Sequence, residues 1–319
     1  MTRNTDIPLE SYRLAQYSVQ VPCYICEEGN SFDTELCRHC QAPMALTHQA
    51  NSQGVSATMI ATIGPSGVGK TVYLGMLVDM LSRQATDLSV LARGAFSITL
   101  QQTVIAALSR CEFPEKTPNE PDRWNWVHCQ VSSPGRKRPI DLIMPDMAGE
   151  AIIEEVDHPH TYKGIRALLN KCTGVQVLID AAKLREGGME QDHFSMKLLT
   201  YLQELCSNPK TGWPNRPVAL VFTKADQCEE CFSDPTRFAE QYASRLWHHC
   251  QQQFKKHKFF AAGVAGACTQ KMLCNGSRVN IPLRVVAPMR VKGCSFILIV
   301  RALIPSPNTI SIRKSSIAG

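Results

Sequence analysis

No run in this sequence is long and apolar enough to cross a membrane. The nearest approach, Cys294 to Val300 (CSFILIV), ends at Arg301, far short of the roughly 18 apolar residues a spanning helix needs. A buried strand is the expectation there. The opening residues MTRNTDIPLE are polar and lack the apolar core of a secretion leader. A one-signed charge excess is lacking too. The 34 Lys and Arg against 28 Asp and Glu leave a net +6 over 319 residues, too little to argue for nucleic acid. It suits an anionic nucleotide, a nucleic acid or an acidic partner alike. At 44% hydrophobic and 19% charged residues, the chain is an ordinary folded globule, one large domain or a domain with an appendage. With no leader, the 14 cysteines are expected to be reduced or metal-bound, in a cytoplasmic setting, rather than disulfide-paired.

What is present is concentrated in a few motifs. Gly64-Pro65-Ser66-Gly67-Val68-Gly69-Lys70-Thr71 has the G-x-x-x-x-G-K-S/T spacing of a phosphate-binding loop. Glycines at Gly64, Gly67 and Gly69 let the backbone turn sharply. The N–H groups from Ser66 and Val68 through Val72 can then aim at phosphate oxygens. The Lys70 ammonium reaches the outer phosphates, and the Thr71 hydroxyl is a ligand for Mg²⁺. The apolar, partly β-branched stretch from Ala57 to Ile63 predicts a buried strand before the loop. Apolar residues at helical spacing from Thr71 to Ser82 predict a helix after it. Strand, glycine loop and helix N-terminus in series form an anion site.

Upstream, Cys23-x-x-Cys26 and Cys37-x-x-Cys40 form two knuckles that can place four thiolates tetrahedrally around one Zn²⁺. The polar, turn-rich stretch between them, Glu27 to Thr34, suits a ribbon loop. All four positions are filled by sulfur, so such a site is structural. His39, inside the second pair, is expected to be a bystander. The expected organisation is a zinc ribbon module over residues 1–45 and a linker over 46–55, where the sequence is small and polar. The Cys228/Cys231 pair has no matching knuckle. Cys250 with His248 and His249 could complete a second site, and an ordinary surface turn is the simpler expectation.

Further on, an apolar stretch ends in Asp146-Met147-Ala148-Gly149-Glu150. A carboxylate at the end of a strand beside a phosphate loop can hold Mg²⁺, and the Gly149 amide can contact a γ-phosphate. Two more buried strands are expected at Thr173–Asp180 and Pro217–Phe222. The second runs into Thr223-Lys224-Ala225-Asp226. An Asp226 carboxylate can accept both the N1–H and the 2-amino hydrogen bonds of guanine. Adenine offers no such pair and would leave the acid unsatisfied. The alkyl stem of Lys224 can lie along the base.

With these residues in this order, the chain resembles the translation-factor-related class of GTPases over about residues 56–285. The T-K-A-D segment matches that class's N/T-K-x-D base motif. The ribbon ahead of the loop and the D-x-x-G-E ending resemble, more narrowly, the double-GTPase-like proteins of bacterial conflict and multi-component systems. The resemblance implies GTP or GDP as ligand, Thr223, Lys224 and Asp226 at the base, and a switch threonine before D-x-x-G. Thr117, on a proline-bounded polar loop, is the candidate, with a plain surface threonine as the alternative. Two departures stand out. Glu150 occupies the place where the class usually carries a water-positioning Gln or His, which implies slow or partner-dependent hydrolysis. Gly263 or Ala265 occupies the last base-contacting motif, so backbone alone would serve there.

The expected fold is α/β: a P-loop domain over 56–290 with a mostly parallel sheet covered by helices on both faces. An extra helix is expected at Gly94–Ser109, a strand at Trp124–Val131, helices at Ser195–Cys206 and Pro235–Phe254, and a C-terminal strand and weakly structured tail over 291–319. The aromatic stripe of Phe238, Tyr242 and Trp247 is expected to be core, the basic cluster Gly135–Arg138 a solvated turn, and His158 and His160 a solvated or partner-touching loop. The expected function is an Mg²⁺-dependent GTPase switch, with catalytic roles for Lys70, Thr71, Thr117, Asp146, Gly149 and Glu150 and protein partners met through the switch loops and ribbon. A non-hydrolysing nucleotide-dependent scaffold and a nucleic-acid module acting through the ribbon are the alternatives.

Overall fold

The structure is a computed structural model that describes residues 20–53, 58–82, 89–132, 139–205, 215–266, 268–272, 276 and 278–282. The basic cluster Gly135–Arg138 falls outside the described residues, as do the strand at Cys294–Val300 and the tail over 291–319.

A strand hairpin, β1 (Gln20–Pro22) and β2 (Gly29–Ser31), opens the fold and carries the first cysteine knuckle. Helix α1 (Met44–Gln53) follows the second knuckle. The main sheet then begins with β3 (Thr58–Ile63), and the glycine loop leads into α2 (Lys70–Ser82). Next come β4 (Ser89–Arg93), α3 (Gly94–Ser109), β5 (Asn125–Ser132) and β6 (Ile140–Asp146). Helices α4 (Gly149–Asp157) and α5 (Lys163–Lys171) precede β7 (Gly174–Asp180). After short α6 (Ala181–Arg185) and long α7 (Met189–Leu205) the chain enters β8 (Val218–Thr223). Helices α8 (Glu229–Ser233), α9 (Pro235–Tyr242) and α10 (Ser244–Gln253) lead to β9 (His257–Ala261). A separate hairpin, β10 (Cys268–Met272) and β11 (Arg278–Pro282), follows.

The seven strands of the main sheet run in the order β4-β5-β6-β3-β7-β8-β9. Among them only β5 runs against the rest, pairing antiparallel with both neighbours. Strands β7 and β8 are buried along their whole length, as expected when helices cover both faces of a parallel sheet. The faces carry two apolar cores. One gathers Ile60, Leu74, Leu142, Val221 and Phe260 with α2 and α3. The other gathers Ile63, Ile165, Leu199, Leu220 and Phe254 with α5, α7 and α10. Strand β3 lies between β6 and β7. The loop leaving its carboxyl end therefore opens at the point where the strand order reverses, the usual crevice for a ligand in such sheets.

Two expectations need correction. Residues 44–53, expected to fall largely within a linker, form helix α1, with Met44, Leu46, Thr47 and Ala50 buried. The small residues that suggested a linker include good helix formers, and packing supplies the rest: Gln49 reaches buried His128 on β5 at 3.0 Å. The single helix expected over Pro235–Phe254 breaks at Ala243 into α9 and α10. Asp234 caps α9, while Asp192 of α7 accepts a hydrogen bond from the Leu246 amide in the first turn of α10. A carboxylate from another helix thus satisfies an end that the local sequence gave no reason to expect. The aromatic stripe is core: Phe238 is buried, and Tyr242 and Trp247 pack against the same cluster.

Candidate nucleotide-binding site

The glycine loop is held open by backbone geometry. Gly67 and Gly69 have φ of +74° and +92°, a region where only glycine sits without strain. Helix α2 starts at Lys70, and its side chain folds back so that Nζ donates to the carbonyls of Gly64 at 2.9 Å and Pro65 at 3.1 Å. Burial lowers the Lys70 ammonium to about 8, with the Asp146 and Glu150 carboxylates opposing the shift. A cation kept charged against burial is matched to an anionic ligand.

The residues expected to sense the outer phosphates converge here. Thr71 Oγ1 lies 3.1 Å from Thr117 Oγ1, and Thr117 Oγ1 donates to Asp146 Oδ2 at 3.1 Å. Asp146 is fully buried at the end of β6, and its Oδ1 has no hydrogen-bond partner among the described residues. Burial raises its carboxyl above the ordinary range, against hydrogen bonds from Thr71 and Thr117 and the charge of Lys70. Two hydroxyls and a buried, under-satisfied carboxylate at the foot of a phosphate loop fit a hard cation such as Mg²⁺. Gly149 presses on the loop itself. A Cβ there would lie 2.3 Å from the Ser66 amide nitrogen. Glu150 sits at the rim, held below the usual carboxylate range chiefly by a hydrogen bond from Ser66, with Lys116 and Lys70 adding attraction.

The base motif is tied to the same loop. The Thr223 hydroxyl donates to the carbonyl of Val68 at 2.8 Å and to that of Ile179 at 3.2 Å. It braces the loop from within the protein, and it lines the same cavity as Lys224 and Asp226. Lys224 adopts a left-handed φ of 54°, and its Nζ meets Asp180 Oδ2 at 2.5 Å. Asp226 accepts from the Gly266 amide at 2.5 Å. Burial raises its carboxyl, while the backbone amides of Gly266, Ala265 and Val264 pull it back. Gly263 is required by space, since a Cβ there would lie 2.8 Å from Asp226 Cβ. One cavity of about 790 Å³ is lined by the loop from Ser66 to Tyr73, by Thr117, by Glu150, and by Lys224 and Asp226 at its other end.

A family model described as Double-GTPase 2 matches residues 58–274, well over half of the chain. The chain belongs to the Double-GTPase 2 family. No curated protein sequence matches this family member. Among solved structures, the GTP-bound GTPase-like domain of S. cerevisiae Ski7 is 13% identical with a TM-score of 0.44, over 82% of this chain and 53% of that one. The signal recognition particle receptor SRb of Chaetomium thermophilum, in its GTP/SRX complex, is 15% identical with a TM-score of 0.36, over 66% of this chain and 91% of that one. A point variant of Aquifex aeolicus Era bound to GDP.AlF4- is 14% identical with a TM-score of 0.32, over 64% of this chain and 51% of that one.

In this Double-GTPase 2 chain the four N-terminal cysteines also meet. Their sulfurs lie within 4.8 Å of one another. Cys23 and Cys40 are 3.6 Å apart, and Cys26 and Cys37 are 3.5 Å apart. A tetrahedral metal with M–S bonds of about 2.3 Å spaces its sulfurs by about 3.8 Å, so the cluster fits such an ion. The amide of Ile25 donates to Cys23 Sγ and Asn30 Nδ2 to Cys37 Sγ, contacts that favour thiolates. His39 is exposed and outside the group. Among the described residues no other group of three or more His, Cys, Asp or Glu side chains gathers in this way; Cys228, Cys231 and Cys250 are instead buried in the core. His158 and His160 are exposed, and His160 meets Arg166 rather than the cavity.

Three groups at the cavity were missed in sequence. Asp180 ends β7 as Asp146 ends β6, and that parallel was the available signal. The stretch Phe113–Lys116 precedes Thr117 without a motif of its own. Cys268, Thr269 and Gln270 of β10 line the cavity as well, where nothing in their types announces a site.

Proposed function

We propose that this protein binds Mg·GTP and hydrolyses it slowly to GDP and phosphate, as a nucleotide-controlled switch in a bacterial multi-protein system of the defence kind. The observation that carries the reading is the shared cavity. Thr71 and Thr117 line one end of it, with the buried Asp146 carboxylate bonded to Thr117 behind them, and Asp226 is held by the 264–266 backbone at the other. In this reading the amides of Ser66 through Val72 and the Lys70 ammonium hold the phosphates. Thr71 and Asp146 hold Mg²⁺, which neutralises phosphate charge, and Thr117 reports its presence. Gly149 offers its amide to the γ-phosphate, and Lys224 and Asp226 hold guanine. Phosphoryl transfer to water needs mainly positioning and charge neutralisation, which this set can supply. Cys23, Cys26, Cys37 and Cys40 hold Zn²⁺ as a structural centre. The switch loops and the ribbon are the surfaces for protein partners in the cytoplasm. No described helix is long and apolar enough to cross a membrane.

Calorimetric titration with GTP and ATP, with and without Mg²⁺, tests this. GTP should bind at least about tenfold tighter than ATP, and Asp226→Asn should erase the preference, as expected when one buried acceptor reads two donors. Equal binding of both nucleotides would defeat the reading. A scaffold with little turnover is the second reading, favoured by the Glu150 carboxylate at the place of a water-positioning amide. Single-turnover phosphate release separates the two.

A further inference from the structure

We propose that Lys116 is a catalytic cation for the terminal phosphate, supplied from within the chain, so that the site carries its own counterpart to a partner's arginine. This rests on the reading of the cavity as a GTP site. Lys116 immediately precedes Thr117, whose hydroxyl bonds to both Thr71 and Asp146 and so pins this loop over the phosphate end. From that anchored position the Lys116 ammonium reaches Glu150, with Nζ 3.8 Å from Oε1. Glu150 in turn accepts from the Ser66 hydroxyl of the phosphate loop and feels the charge of Lys70. Lys116, Glu150, Ser66 and Lys70 therefore gather at one end of the cavity.

The balance of charge explains why a second cation belongs there. A carboxylate at position 150 beside a triphosphate is repelled by it unless a cation intervenes. Lys70 already faces Asp146 and sits on two loop carbonyls. Lys116 is the other ammonium that faces Glu150. Its side chain is 82% exposed and its ion pair is long. Such pairs are weak and screened, so the ammonium gives up Glu150 readily for a more highly charged phosphate. Its compact charge on a four-carbon stem suits that short transfer.

In the reaction, the oxygen of a water bonds to the γ-phosphorus while the bond from that phosphorus to the β–γ bridging oxygen breaks. The electron pair stays on the β-phosphate of GDP, and the water's proton ends on inorganic phosphate. Lys116 transfers no proton in this step and offsets charge that grows on the γ and bridging oxygens.

The test compares full-length wild type, Lys116→Ala, Lys116→Arg and Glu150→Gln. GTPγS and GDP affinities are measured by calorimetry, with single-turnover phosphate release alongside. Lys116→Ala should lower GTPγS affinity several-fold, leave GDP affinity in place, and slow release on the order of tenfold or more, below the effect of a buried arginine finger. Lys116→Arg should restore most of both. Glu150→Gln should tighten GTPγS, because it removes the carboxylate that both pairs with Lys116 and repels the phosphate. If Lys116→Ala keeps both its GTPγS-to-GDP ratio and its release rate within about twofold of wild type, the proposal is overturned while the GTP reading stands. If wild type binds GTP and releases no phosphate, the catalytic role of Lys116 is overturned while the GTP reading stands. A wild-type protein that binds no GTP overturns the GTP reading and the role of Lys116 with it.

Discussion

At Gly149 one methyl group is enough to disturb the site. A Cβ would meet the Ser66 nitrogen at 2.3 Å and the Pro65 carbonyl carbon at 2.6 Å, both backbone atoms that cannot swing aside. Gly149→Ala should therefore cost about 1–3 kcal/mol of stability, seen as a melting temperature lower by several degrees. GTPγS affinity should fall with it, because the loop that gives way is the phosphate loop. An unchanged melt would mean that D-x-x-G moves freely against the loop. Lys70 yields a pH dependence. Burial holds its ammonium at about 8 in the free protein, and bound phosphates raise it. The binding advantage is thus complete below about pH 8 and is lost as pH rises from there toward the pKa of the complex. Titrations at a pH just above that value, in buffers of different ionisation enthalpy, should show net proton uptake on GTP binding. Uptake of none at that pH would place Lys70 away from the phosphates.

At the scale of elements, the design problem is to keep the Thr223–Asp226 turn and the glycine loop in register across three strands. Thr223 does this at the end of β8 by bonding to Val68 in the loop and to Ile179 on β7. Thr223→Val keeps the shape and removes the donor that ties the end of β8 to the loop, at a cost of about 1 kcal/mol for the lost hydrogen bond. GTP and GDP affinities should fall together by fluorescence titration, whereas loss of only the GTP affinity would assign the threonine to the phosphate end. The elements that sequence made legible are those whose signal is local. The β3–loop–α2 unit and the helix Gly94–Ser109 have their own period and punctuation, and they stand where expected. The elements it hid depend on distant partners. Helix α1 is stable because Gln49 and its apolar neighbours find β5 and the core, and α10 begins where Asp192 of α7 provides a cap. Thr117 stood out in sequence as a candidate only through its polar, proline-bounded loop, with a plain surface threonine as the alternative. The backbone path that brings it beside Thr71, 46 residues away in the chain, is a property of the sheet order.

On the scale of the whole molecule, the ribbon and the nucleotide domain share one interior. Cys23, Ile25, Cys37 and Cys40 pack in the same buried cluster as Met59, Ala61 and Ile63 of β3 and Leu168 and Leu169 of α5. Lys171 at the end of α5 bonds to the Tyr24 carbonyl at 2.7 Å, pairs with Glu27 at 2.9 Å and lies over the Tyr24 ring. At the other end of the same helix, Gly164 approaches the Cys40 carbonyl so closely that a Cβ would lie 2.8 Å from its oxygen. A metal-stripped centre leaves four thiols crowded against this helix with nothing to fix their spacing, and metal-binding free energy in such centres is folding free energy. Chelation should therefore lower the melting of the entire domain rather than release an appendage. A circular-dichroism melt should show one transition that moves down by roughly ten degrees or more on stripping and returns with added Zn²⁺. Hydrogen exchange should show protection lost in β3 and α5 as well as in the knuckles. A chelated protein whose β3 stays protected and whose GTP affinity is intact would mean that the shared core tolerates loss of its sulfur corner, and that the ribbon contributes a surface for partners without holding the fold.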